Sequence, residues 1–120
     1  MSQSMKENKV SWKMVEQYVD AVQDHFKGEK FSGVYGLPRG GCTLAVMLSH
    51  LLDIPYLPYP KHGCLIVDDI SDTGNTLQFY KIQGYKTTTM FYHQQTVSMP
   101  DFTMFEKKDG WIRFPWEMRA

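Results

Sequence analysis

Apolar residues return every three or four positions from Trp12 to Phe26, through Val15, Val19 and Val22. That spacing puts them on one face of an α-helix. Ser11 stands where an N-cap belongs and Gly28 where a helix closes. Gly33-Val34-Tyr35 reads as a short strand. A second helix is predicted from Cys42 to Leu52, with Leu44, Leu48, Leu51 and Leu52 turned inward and Asp53-Ile54-Pro55 as its stop. Cys64 to Val67 is an unbroken apolar run, the pattern of a strand covered on both faces. Thr76 to Gln83 predicts a third helix ended by Gly84. The Thr-rich, aromatic stretch Tyr85 to Tyr92 predicts another strand. Strands alternating with helices specify an α/β fold, a mainly parallel sheet flanked by helices on both faces. Ligands of such sheets sit outside the carboxyl ends of the strands. The loops 36–41 and 68–76 both fall there.

Composition narrows the function. The 120 residues suit one domain spanning 1–120, and 42% hydrophobic residues are enough for one core. Thirteen Lys plus Arg balance thirteen Asp plus Glu, which argues against a nucleic-acid or membrane-surface protein. Any phosphate site must therefore be local. No apolar segment reaches membrane-spanning length, and the start MSQSMKENK lacks the apolar core of a signal peptide, so a cytoplasmic location is expected. Cys42 and Cys64 both fall in elements that read as buried and are expected to be packed thiols. His25, His50, His62 and His93 are scattered, with no zinc spacing.

The chemistry concentrates in Cys64-Leu65-Ile66-Val67-Asp68-Asp69-Ile70-Ser71-Asp72-Thr73-Gly74-Asn75-Thr76-Leu77. The apolar run ends in two adjacent acids, then a small hydroxyl- and glycine-rich loop. Side chains alternate along a strand, so Asp68 and Asp69 should leave it on opposite faces, within reach of sugar hydroxyls or a metal-bound water. The loop from Asp72 to Thr76 can offer backbone N–H groups and the Thr73 and Thr76 hydroxyls to a phosphate at the start of the next helix. Val34-Tyr35-Gly36-Leu37-Pro38-Arg39-Gly40-Gly41 is again strand, glycine loop and helix. Arg39 presents a planar fork of donors suited to pyrophosphate oxygens. Gly40 and Gly41 let the backbone approach a charged ligand.

The run from Leu65 to Thr76 resembles the phosphoribosyl-pyrophosphate motif of the type I phosphoribosyltransferases. The resemblance implies a Mg²⁺-dependent purine phosphoribosyltransferase of purine salvage, with phosphoribosyl pyrophosphate and a purine base as substrates. Asp68 and Asp69 would hold the ribose hydroxyls and metal waters, with Asp69 as the metal carboxylate. Asp72 would take the purine's proton. Thr73, Gly74, Asn75 and Thr76 would cradle the 5′-phosphate. Pro38, Arg39, Gly40 and Gly41 would grip pyrophosphate, and the family often carries an unusual peptide bond at the position of Pro38-Arg39. Trp111-Ile112-Arg113-Phe114-Pro115-Trp116-Glu117 resembles the C-terminal segment of the bacterial and archaeal xanthine-guanine and hypoxanthine enzymes. By that likeness residues 101–117 form a small base-binding segment. Trp111 stacks on the purine and the backbone of Ile112 meets the base edge, while Trp116 is expected to pack inward.

Two positions depart from the family. Only residues 55–63 separate the second helix from the motif strand, where relatives place a hairpin and a flexible closing loop. His93 stands where relatives carry a Lys that contacts the purine's six-position oxygen. The leading expectation is transfer to a 6-oxopurine: xanthine, guanine or hypoxanthine. Two alternatives stay open, a non-catalytic phosphoribosyl pyrophosphate- or nucleotide-binding regulator and a transferase for another base. Family habit and the aromatics Tyr56, Tyr59, Tyr80 and Tyr85, read as exposed, suggest a homodimer or homotetramer.

Overall fold

The structure, a computed structural model, describes residues 7–108 and 110–117. Its elements run β1 (Glu7–Lys9), α1 (Trp12–His25), β2 (Val34–Gly36), α2 (Cys42–Leu52), β3 (Leu65–Ser71), α3 (Asn75–Ile82), β4 (Lys86–His93), β5 (Phe102–Lys107) and β6 (Trp111–Arg113). The main sheet has the order β2-β3-β4-β5 and is parallel throughout. β1 and β6 form a separate parallel pair, Asn8 opposite Ile112, which ties the two ends of the described chain together.

Local chemistry explains the helices. Ser11 Oγ accepts the Met14 N–H, so the first turn of α1 starts with a satisfied donor. The stripe predicted for α1 is buried at Val15, Val19 and Val22, with Phe26 just beyond. Trp12 instead stays half exposed against the Trp116 ring, 6.0 Å between centroids. α2 ends at Asp53, which takes a left-handed conformation, and Pro55 prevents continuation.

The sheet carries a core on each face. On one side Val15, Val19 and Val22 of α1 and Leu44, Ala45 and Leu48 of α2 pack over Val34, Leu65, Val67 and Met90. On the other, Ile66 packs with Leu37, Cys64 and Leu77 of α3, rimmed by Tyr35, Tyr80 and Tyr85. Each fully buried aliphatic side chain contributes about 1.5–3 kcal/mol. Tyr80 and Tyr85 are thus half buried in a core, not exposed as expected; of the four tyrosines only Tyr56 and Tyr59 are. Cys64 is buried and Cys42 half buried, both as free thiols.

The strands β1, β5 and β6 were not legible from pattern. β5 arises inside the segment assigned to base contact and forms the sheet edge. β3 runs on past Val67 to Ser71, because Ile70 and Ser71 stay in register with Phe91 and Tyr92 of β4. The polar run Thr87-Thr88-Thr89 lies wholly inside. It is tolerated because its hydroxyls are paired. Thr88 lies 2.7 Å from the Tyr18 hydroxyl, Thr87 donates to Asp101 at 3.2 Å, and Thr89 donates to the Phe91 carbonyl at 2.7 Å. No helix among the described residues is long and apolar enough to cross a membrane.

Candidate active site

The carboxyl ends of β2, β3 and β4 bring the predicted residues of the loops 38–41 and 68–76, with His93, to one end of the sheet, whereas Trp111 and Ile112 lie on β6 in the separate pair. After β2 the chain turns through Leu37 to Gly41, closed by the Gly41 N–H donating to the Leu37 carbonyl at 2.8 Å. The Pro38-Arg39 peptide is cis, as the family habit led us to expect. Arg39 is exposed at the rim. Gly40 lies flat against the Asp69 carboxylate: a Cβ there would run into the Asp69 Oδ2. The first glycine loop and the acidic strand end are therefore in direct contact, and Gly40 has a steric reason to be glycine.

Asp68 and Asp69 line two different hollows, Asp69 the one with Arg39 and Gly40 and Asp68 the one with Asp72, Thr73 and Gly74. Each folds back toward the backbone: the Asp69 N–H donates to Asp68 Oδ1 and the Ile70 N–H to Asp69 Oδ1, both at 2.8 Å. Burial is the main cause that raises both carboxyls above the ordinary range, and for Asp68 the neighbouring Asp69 charge adds to it. Asp68 is raised to about 8. Two half-buried acids side by side call for a cation or for hydroxyl donors. Among the described residues no three His, Cys, Asp or Glu side chains converge as a metal site of their own.

An open cleft of about 660 Å³ lies over Asp69, lined by Arg39, Gly40, Asp69, Trp116 and Glu117. Glu117 was given no role from sequence. Its Oε1 accepts the Phe114 N–H at 2.8 Å, and its charge adds to the rise in Asp69. Trp116 stacks on Phe114 with centroids 4.9 Å apart, packing inward as expected while one edge meets the cleft.

Next to it a smaller hollow of about 170 Å³ is formed by Asp68, Ile70, Ser71, Asp72, Thr73, Gly74, Thr76 and Leu77. Gly74 holds φ 87° and caps α3, so the amino end of that helix lies at the hollow, with the Asn75 N–H donating to Thr73 Oγ1 at 3.3 Å. The loop is braced from behind. The Val97 N–H donates to the Thr73 carbonyl at 2.8 Å, and Ser71 Oγ lies 2.8 Å from Thr96 Oγ1. A Cβ at Gly74 would strike Thr96. The bracing segment 96–98 was not recognised from sequence, since nothing in its composition distinguishes it from a surface turn.

Asp72 is exposed and meets Lys107 of β5, Nζ to Oδ2 3.2 Å. His93, at the end of β4, lies opposite Lys107 in the strand register. Its Nδ1 accepts the Gln95 N–H at 3.1 Å, which leaves the ring proton of a neutral imidazole on Nε2. Trp111 leaves 68% of its surface exposed, whereas Ile112 is buried between the small β1–β6 pair and the core. The segment 55–63 lies far from all of this. Tyr56 bridges to Val34 at the amino end of β2, so this connection runs along the wrong end of the sheet to close over the cleft. Another cleft, of about 670 Å³, sits at that same end, between the carboxyl ends of α1 and α2.

A solved purine phosphoribosyltransferase from Pyrococcus horikoshii matches this fold with a TM-score of 0.80 and 30% identity, covering 97% of each chain. The chain belongs to the type I phosphoribosyltransferases. A xanthine-guanine phosphoribosyltransferase of Idiomarina loihiensis is 26% identical over 144 positions, covering 96% of this chain and 89% of that one. A xanthine-guanine-hypoxanthine phosphoribosyltransferase from Helicobacter pylori shares the fold at a TM-score of 0.73 and 21% identity, covering 92% and 93%. No protein-family model matches the chain. Within this phosphoribosyltransferase the cis peptide, the paired acids and the Asp-Thr-Gly-Asn-Thr loop stand in one site.

Proposed function

We propose that this enzyme transfers the 5-phosphoribosyl group of phosphoribosyl pyrophosphate to a 6-oxopurine, releasing pyrophosphate. The observation that carries the reading is the contact between the two loops: Gly40 seated on the Asp69 carboxylate, with Arg39 on one side and the Thr73–Thr76 loop on the other. One ligand with a pyrophosphate at one end, a phosphate at the other and a diol between would span these groups. Relatives named xanthine-guanine phosphoribosyltransferases support the choice of base.

Departure of pyrophosphate leaves positive charge on the ribose ring, as in glycoside chemistry. Asp68 and Asp69 would stand beneath that ring and accept from its hydroxyls. Arg39 and the loop backbone would take the negative charge growing on the leaving group. Thr73, Gly74, Asn75 and Thr76 would hold the 5′-phosphate at the start of α3. Trp111, with its ring open to solvent, would supply a flat surface for the purine, and the Ile112 backbone its edge contact. Asp72 would accept the proton that leaves the purine as its ring nitrogen bonds to the anomeric carbon. Asp69, with Asp68 beside it, is a fitting donor set for Mg²⁺, which takes one or two carboxylates and completes its shell with water and substrate oxygens. When bound, Mg²⁺ would neutralise charge on the pyrophosphate. We place the enzyme in the cytoplasm as a homodimer or homotetramer.

The test is pyrophosphate release from phosphoribosyl pyrophosphate and Mg²⁺ with xanthine, guanine, hypoxanthine or adenine added singly. Release with a 6-oxopurine is the expected result, and no release with any base would overturn the reading. The position of 55–63, with no closing loop from that connection, favours a second reading: a protein that binds phosphoribosyl pyrophosphate or a nucleotide without turning it over. Clear binding by calorimetry with no pyrophosphate released would select it.

A further inference from the structure

β4 and β5 are parallel neighbours, a pairing whose connection usually contains a helix. Residues 94–101 make that crossing without one and lie against the loop after β3 instead. The Val97 N–H donates to the Thr73 carbonyl at 2.8 Å. Ser71 Oγ donates to the Ser98 carbonyl at 3.0 Å, which leaves its oxygen to accept from the Thr96 hydroxyl, 2.8 Å away. The Ser98 N–H donates back to Thr96 Oγ1 at 3.3 Å, and Ser71 and Ser98 are both buried. The crossing is anchored farther along as well. Lys81 of α3 donates to the Met99 carbonyl at 2.8 Å, and Asp101 accepts the Thr87 N–H of β4 at 2.7 Å.

These contacts bear on one peptide. The Thr73-Gly74 bond is planar and trans, so its carbonyl and its N–H point opposite ways. With the carbonyl held by Val97, the Gly74 N–H is turned away from the crossing. Backbone N–H groups of such a loop are what a phosphate binds. Gly74 also packs flat against Thr96, so the hydroxyl that meets Ser71 fixes the position of the loop as well as its direction. We propose that Thr96 and Ser71 are positioning residues for the 5′-phosphate. They touch no substrate. They hold the Thr73–Thr76 loop in its binding shape before a ligand arrives, which removes the ordering cost from the binding step. This rests on the transferase reading above and deepens it. The brace serves only the phosphate end of the site: the Arg39 loop and the Trp111 ring make none of these contacts, so ligands that lack a 5′-phosphate are indifferent to it.

The experiment compares two variants with the parent enzyme. Thr96→Val keeps the shape and loses the hydroxyl, whereas Thr96→Ser keeps the hydroxyl. Phosphoribosyl pyrophosphate, GMP and inorganic pyrophosphate are titrated by calorimetry, and pyrophosphate release gives kcat and both KM values. Loss of one neutral hydrogen bond corresponds to about a 2- to 10-fold change in affinity. We expect the Val variant to weaken phosphoribosyl pyrophosphate and GMP alike by that factor. Its affinity for pyrophosphate and its KM for the base should hold. Its kcat should hold too, because a grip made equally in ground and transition states moves KM alone. The Ser variant should bind as the parent does. A Val variant that keeps its affinity for both 5′-phosphate ligands, or weakens all ligands equally, overturns the role of Thr96 and leaves the transferase reading intact. A Ser variant as impaired as the Val variant does the same. A parent that binds neither phosphoribosyl pyrophosphate nor GMP overturns both. If the Val variant does not fold, Ser71→Ala, which removes the hydroxyl facing Thr96, decides by the same comparison.

Discussion

Replacing Asp68 with Asn should make the unliganded protein more stable at alkaline pH while it damages the site. Burial and the Asp69 charge raise Asp68 from an ordinary 3.8 to about 8. Between those values the folded protein holds a proton that the unfolded chain has released, so unfolding becomes easier as pH rises. The stability is fully present below pH about 4, falls through that window and levels off above about 8. At roughly 1.4 kcal/mol per unit, the ionised form costs at most about 5 kcal/mol at pH 8. Water at the mouth of the cleft screens part of it, and we expect about 1–3 kcal/mol. Asn keeps an oxygen at Oδ1 to accept the Asp69 N–H, so the 2.8 Å bond survives and only the charge is lost. Urea unfolding at pH 5 and pH 8, with chelator present, is the assay. With slopes of about 1–3 kcal/mol per molar urea, the midpoint of the Asn variant should rise by about 1 M at pH 8. Its gain at pH 5 should be smaller, about a third of that at pH 8, because only about one of the roughly four pH units over which the stability is lost has been crossed. A variant no more stable than the parent at pH 8, or a parent whose stability climbs from pH 5 to pH 8, would refute the reasoning.

The remaining outcomes each isolate one part of the site. Asp72→Asn should cut turnover by about 10²- to 10⁴-fold, the usual contribution of a general base, with phosphoribosyl pyrophosphate affinity unchanged by calorimetry; full turnover would remove Asp72 from proton transfer. Gly74→Ala combines φ 87° with a Cβ directed into Thr96 and 2.7 Å from the Ser98 nitrogen. It should cost about 2–4 kcal/mol in urea unfolding and weaken 5′-phosphate binding, and a neutral effect on both would contradict the tight bracing of this loop. Trp111→Ala should raise the KM for the base by roughly 5- to 100-fold, from a stacking contribution of about 1–3 kcal/mol. Because the ring is 68% exposed, its melting temperature should stay near that of the parent.

The sequence alone carried the helices, since their signals are local. The stripe Val15-Val19-Val22, the Ser11 cap and the stop at Asp53-Ile54-Pro55 need no partner to be read. It also carried the loop chemistry, because glycine, hydroxyl and acidic residues at fixed offsets after an apolar run serve few purposes besides phosphate and sugar binding. Tertiary structure decided what depends on neighbours distant in sequence. β5 and the far end of β3 are strands because β4 pairs with them, and the threonines of β4 are buried because Tyr18 and Asp101 satisfy them. Asp68 and Asp69 are held by the next backbone N–H groups, a contact that no periodicity foretells. Lys107 meets Asp72 across 35 residues only once β5 has taken its place at the sheet edge. A period of two or of 3.6 describes a single segment. Which segments share an edge is set by burial and hydrogen bonding across the whole chain, so only the folded chain brings Lys107 to Asp72.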